Sequence, residues 1–212
     1  MKVTILISFF FINSWGWAAC LPDSQEKKLH LSNDIPSMEL FANKFESMVL
    51  KILPPDVDLS MQFQPLNHRV NAEIIKSGQT LTIAVMGGML AHPSMNENSL
   101  ALLLCHELGH FLGGPPLKSR GGWSSTEGQA DYFSGSTCVR LIGMEEADFL
   151  DGAIRLTSIY AEVMGEPEPN ISQCDETKVP RTNFGYPTVQ CRLDSIMAGW
   201  EGSPRPACWF IE

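Results

Sequence analysis

Beyond its first residues the chain lacks any apolar run that approaches the roughly 20 residues needed to cross a bilayer. It also lacks an internal repeat, a low-complexity tract and a linker rich in Ser, Gly and Pro, which excludes a solenoid and gives no sign of a second domain. Positive charge is short as well: 15 Lys and Arg stand against 24 Asp and Glu, a formal charge of −9. A basic surface for nucleic acid is therefore not expected. What remains is 212 residues, enough for one substantial core.

The N-terminus reads as a leader. Met1 and Lys2 give a positive start, Val3 to Asn13 is strongly apolar, and Gly16-Trp17-Ala18-Ala19 supplies small residues. The expected organisation is a signal peptide over 1–19 and a single domain over 20–212. Cleavage after Ala18 would place Gly16 at −3. Cleavage before Cys20 is the alternative, because Trp17-Ala18-Ala19-Cys20 is similar to a lipobox with tryptophan in place of leucine; Cys20 is then either a lipid anchor or an ordinary disulfide cysteine. Export to a periplasm, as a soluble or outer-membrane-anchored protein, or secretion, follows as an expectation.

The chemistry lies in His106-Glu107-Leu108-Gly109-His110. Histidines four residues apart project from one helical face, so their ring nitrogens can converge on one zinc ion at about 2.0 to 2.1 Å. Glu107 then sits beside the metal without binding it, where a carboxylate can take a proton from water and pass it to a departing amine. Two histidines on a solvated helix would look the same in isolation. The apolar run Leu100 to Cys105 argues against that, because it places the motif on a buried helix. Asn96 as N-cap, Glu97 in the first turn and the stop Gly113-Gly114-Pro115-Pro116 predict a helix over 97–112.

A catalytic zinc site keeps one position for water, so a third ligand is needed. The metzincin pattern would put a histidine at position 116, where Pro116 cannot bind. The next candidate is Glu127-Gly128-Gln129-Ala130-Asp131, after a Ser124-Ser125 cap signal, opening a helix that runs to about Leu141. Glu127 would complete a two-histidine, one-glutamate set. Asp131, one turn on, would accept a hydrogen bond from the far nitrogen of a ligand histidine, with His106 favoured. Acidic residues in a first helical turn are common for dipole reasons alone.

HELGH followed by EGQAD resembles the M48-type gluzincin metallopeptidases, whose pattern is HExxH then ExxxD. Thr80 to Leu90 resembles that family's edge strand and following turn, and Tyr186-Pro187 through Arg192 is similar to its HPxxxxR segment. The resemblance spans roughly Val70 to Trp200. It implies one zinc ion per chain held by His106, His110 and Glu127, with Glu107 as base and a polypeptide substrate. The family carries histidine where this chain has Tyr186, and that histidine, with the nearby arginine, is thought to steady the oxyanion. A tyrosine hydroxyl can donate the same hydrogen bond, although Tyr186 is equally readable as a packed loop residue and Arg192 as a structural tie.

Leu81, Ile83 and Val85 alternate with Thr80, Thr82 and Ala84 as in a half-buried strand, and the run from Val70 to Ile75 is its expected hairpin partner. An exposed edge here would hold an extended peptide along the cleft. Gly87-Gly88 would keep the strand end clear of the metal, or form an ordinary turn. Helices are expected over 38–53 and 145–164, with apolar residues at core spacing. His30, His68 and His92 have no ligand-like spacing, and Asn170-Ile171-Ser172 matches a glycosylation sequon. Of six cysteines, Cys105 is expected to be a free packed thiol, and if Cys20 carries lipid, Cys138, Cys174, Cys191 and Cys208 remain to form two bridges. The chain is thus read as an α+β, mainly helical, zincin-like domain, with a small antiparallel sheet whose edge strand borders the active-site cleft, acting as an exported zinc metalloendopeptidase. The alternatives are a chaperone-like envelope binding protein on the same fold and a zinc hydrolase of a non-peptide amide.

Overall fold

The computed structural model describes residues 16–22 and 35–212. Residues 1–15 of the expected leader, and His30, lie outside them. The architecture is α+β. Strand β1 (Gly16–Ala19) is followed by helix α1 (Ile35–Val49), a 3-10 turn over Leu50–Ile52, strand β2 (Asp58–Gln64), the hairpin β3 (Ala72–Ser77) and β4 (Thr80–Met86), and the short helix α2 (Gly87–Leu90). Next come α3 (Glu97–Leu112), α4 (Glu127–Phe133), a π turn over Ser134–Cys138, α5 (Val139–Leu141), α6 (Glu146–Met164) and α7 (Val189–Glu201).

The sheet order is β1-β3-β4-β2. The expected hairpin forms, with Ile74 opposite Ile83. Two details differ from expectation. The sheet is mixed, because β2 runs parallel to β4, and β4 lies inside it between β3 and β2. Its last four residues are buried without alternation, as suits a strand covered on both faces. The edge nearest the metal motif is β1, which pairs antiparallel with β3 from Gly16↔Lys76 to Ala19↔Glu73. The last four residues of the expected leader are therefore a strand of the described fold.

Helix α3 is the central element. Every residue from Ser99 to His110 is buried, so it is apolar around most of its circumference and its two histidines emerge in the interior. Its start is an Asn96 capping box with Ser99. Asp151 on α6 secures that start, accepting hydrogen bonds from the Asn96 and Asn98 amides at 2.7 and 3.0 Å. Gly109 is where α4 crosses: a Cβ there would lie 2.8 Å from the Ala130 carbonyl oxygen, so only glycine admits this approach. The crossing brings Glu127 and Asp131 to the histidines. Gly87 and Gly88 serve a different contact from the one expected, since a Cβ on either would run into the backbone of Pro65 or of His68 and Arg69.

The cysteine expectation needs correction. Cys105 is bridged to Cys138, and Cys191 to Cys208, while Cys174 is free and exposed and Cys20 free and buried. The π turn ends at Cys138 and presents it to α3. The second bridge ties α7 to the C-terminal segment, where Trp209 is fully buried against it.

Candidate metal centre

His106 and His110 face each other across one turn of α3, ring centroids 4.7 Å apart and nearly perpendicular. One ligand atom from each and one from Glu127 lie within 4.8 Å of one another, all three residues being buried. His106 Nε2 is 3.3 Å from Glu127 Oε2, and His110 Nε2 is 3.5 Å from Oε1. The far side of each ring is fixed. His106 Nδ1 lies 2.7 Å from Asp131 Oδ1, and His110 Nδ1 lies 2.8 Å from the Ser125 carbonyl oxygen. A carboxylate and a carbonyl can only accept, so both Nδ1 atoms carry hydrogen and donate. Both Nε2 atoms therefore aim inward, and among the described residues neither has a hydrogen-bond partner; nor do Glu127 Oε2 and both oxygens of Glu107.

Arg192, fully buried on α7, holds Asp131 with two hydrogen bonds, Nε to Oδ2 at 2.8 Å and Nη2 to Oδ1 at 3.1 Å. Nη1 donates to the Cys20 carbonyl, and the guanidinium lies over the Tyr160 ring. The side chain is thus placed as a tie between α7, α4 and the β1 segment. Tyr186 donates its hydroxyl hydrogen to the Ala19 carbonyl at 3.1 Å. Cys20, the candidate lipid site, has its Sγ on the Tyr160 hydroxyl and is fully buried.

Charge in the centre is divided unequally. Burial acts to lower the pKa of His106, but the charge of Asp131, the hydrogen bond to it and the close Glu127 carboxylate outweigh burial and raise it to about 9. His110 has only a carbonyl partner, and burial takes it down to about 3 against the pull of Glu127. Burial raises Glu107 to about 8, opposed by His106. Glu127 is held far below the usual carboxylate range, because His110, His106 and Lys118 together outweigh its own burial.

Four residues around the centre have roles that the sequence does not mark. Lys118 donates to Glu127 Oε1 at 2.5 Å from a partly exposed position. It sits on a short ribbon in which Leu117 bridges Ser125 and the Lys118 amide donates to the Ser124 carbonyl. Ser125 acts through that ribbon and through its carbonyl, so the expected Ser124-Ser125 cap does not form, and Thr126 precedes α4 without a capping side chain. Tyr160 and Asn71 are remote in sequence from both motifs. None of the four has a spacing signature. His92 is buried and bonded to Glu162, and His68 lies away from the centre on the surface. No protein-family model, curated protein or solved structure matches the chain.

Proposed function

We propose that this chain is a zinc-dependent endopeptidase of the M48-like gluzincin kind, acting on exported polypeptide. The observation that carries the reading is a set of inward, buried atoms without a hydrogen bond among the described residues: Nε2 of His106 and of His110 and Oε2 of Glu127, with the opposite edge of each ring held by an acceptor. Buried polar atoms without partners are costly, and two imidazoles plus one carboxylate form a donor set suited to Zn2+ with a coordination position to spare, although binding would have to release the proton that His106 carries at neutral pH. Asp131 and the Ser125 carbonyl are the outer partners such ligands require. Two disulfides are in keeping with an oxidising compartment.

When bound, zinc would supply Lewis acidity toward a peptide carbonyl and toward water. The protein's own groups do the rest. Glu107, adjacent to His106 and without a hydrogen-bond partner among the described residues, serves as base in its ionised form, which a bound dication would favour against the burial that raises its pKa; it accepts the proton of the attacking water and returns it to the leaving amine. The Tyr186 hydroxyl stays protonated, since burial and the nearby charge of Glu127 hold its pKa above the usual value. It already donates to a peptide carbonyl, the bond an oxyanion would strengthen. Arg192 fixes Asp131 and through it the His106 ring, and its Nη2 also lies 3.5 Å from Glu127 Oε2.

The test is metal analysis joined to turnover. Wild type is expected to hold one zinc per chain and to hydrolyse unfolded protein. Glu127→Ala is expected to lose the metal, and Glu107→Gln to keep it while losing at least 100-fold in rate. Equal turnover by wild type and Glu107→Gln would remove the catalytic assignment and leave a binding protein.

A further inference from the structure

The hydrogen bonds around Ala19, Cys20 and Leu21 are those of a bound extended peptide. β1 adds to β3 as an antiparallel strand, and the pairing continues past it, with the Cys20 amide donating to the Ala72 carbonyl at 3.0 Å. Beyond that point side chains take over. Tyr186 donates to the Ala19 carbonyl, Arg192 to the Cys20 carbonyl, and the Asn71 amide clamps Leu21 from both sides, accepting from its N–H and donating to its carbonyl, each at 3.0 Å. Asn71 and Arg192 are fully buried. The seat ends at the metal centre, where Cys20 Sγ lies within 4.8 Å of a ring nitrogen of His106 and a carboxylate oxygen of Glu107. Main-chain pairing at a strand edge with alternate side chains in pockets is how proteins hold extended peptides.

We propose that Gly16–Leu21 occupies, within the chain that carries it, the seat of the polypeptide substrate, so that this chain is self-occluded and opens when the segment is displaced or cut. The part concerning substrate rests on the peptidase reading; the occupied seat does not. Ala18 and Ala19 are buried at 2% and 8% exposure, so the seat admits small side chains at those two positions. A cut before Cys20 leaves the β3 edge bare at Ile74 and Lys76, whose backbone groups face β1 by the alternation that starts at Ala72.

The experiment uses the full-length protein and its two free thiols. In wild type the exposed Cys174 reacts with a thiol reagent and the buried Cys20 is protected. Ala18→Pro removes an amide that pairs with Ile74 and leaves β3 intact; Ala18→Asp, whose charge cannot stay buried there, releases the strand by another route. Either is expected to speed Cys20 labelling at least tenfold, to bind a labelled peptide of the 16–21 sequence, with Ser for Cys20, at least tenfold tighter than wild type, and to raise hydrolysis of unfolded protein by a similar factor. Lys76→Pro is expected to expose Cys20 without gaining peptide binding, because it damages the seat. Rapid Cys20 labelling in wild type, or release of the strand with no gain in peptide binding, overturns the self-occlusion and leaves the peptidase reading standing. Peptide binding with no hydrolysis in any form overturns the peptidase reading and leaves the self-occlusion standing.

Discussion

Asp131 makes two contacts that pull on the same carboxylate: it accepts from His106 Nδ1 and from Arg192. Asp131→Asn keeps the size but removes the charge that fixes the His106 tautomer and pairs a buried guanidinium. Loss of such an outer partner typically costs about 10–100-fold in metal affinity, and removing one partner of a buried ion pair about 3–5 kcal/mol, here toward the lower figure because Arg192 Nη2 also lies 3.5 Å from Glu127 Oε2. Both are expected here, read by competition with a zinc-chelating dye and by denaturant unfolding; unchanged affinity would deny Asp131 its role behind His106. Lys118 has the opposite sense. Its ammonium already lies on Glu127, so it repels a dication seated on that carboxylate. Lys118→Gln is expected to tighten zinc binding about tenfold, roughly 1.4 kcal/mol, in the same dye assay.

The clamp between α6 and the start of α3 gives a pH dependence whose sign is determined. Burial acts to raise the pKa of Asp151, but its hydrogen bonds from Asn96, Arg155 and Asn98 lower it below the ordinary 3.8. A depressed carboxyl contributes stability that is present above its unfolded pKa and is lost as pH falls through the folded value. Unfolding midpoints measured from neutral pH down past 3.8 are therefore expected to show a drop that Asp151→Asn lacks. Its size should stay within about 1 kcal/mol, because the carboxylate is 37% exposed and solvent screens it. The two ends of that clamp differ in how far the sequence announced them. Asn96 was legible as a cap, and α3 and α6 by apolar content and spacing. That Asp151 would meet Asn96 across 55 residues was not. The same divide runs through the candidate centre: His106, His110, Glu127 and Asp131 follow from spacing along two helices, whereas Lys118, Ser125 and Tyr160 arrive from loops and remote elements through tertiary packing. The position of β4 inside the sheet depends on β2 pairing parallel to it, which no local pattern encodes, and the Cys105–Cys138 bridge depends on a π turn with no sequence mark.

Taken as a whole, the molecule places a cluster of like and unlike charges at the meeting point of α3, α4, α7 and the β1 segment, and its stability should respond to what fills that point. Nε2 of both histidines and the oxygens of Glu107 are buried without hydrogen bonds among the described residues, and each such atom, left without a partner, works against folding. A ligand that binds the folded chain alone stabilises it by mass action, by about 4 kcal/mol at a free concentration 1,000 times its dissociation constant. For a chain of this size that corresponds to a rise of roughly 8–16 °C in melting temperature. Zinc is therefore expected to raise the melting temperature of wild type by that amount and EDTA to reverse it. His106→Ala and Glu127→Ala should respond little, since each removes one of the three inward atoms. Glu107→Gln should keep the full response, because Glu107 is not among the three proposed ligands. A zinc response of equal size in Glu127→Ala would mean that the cation binds elsewhere, and the converging histidines would then be a packing arrangement alone.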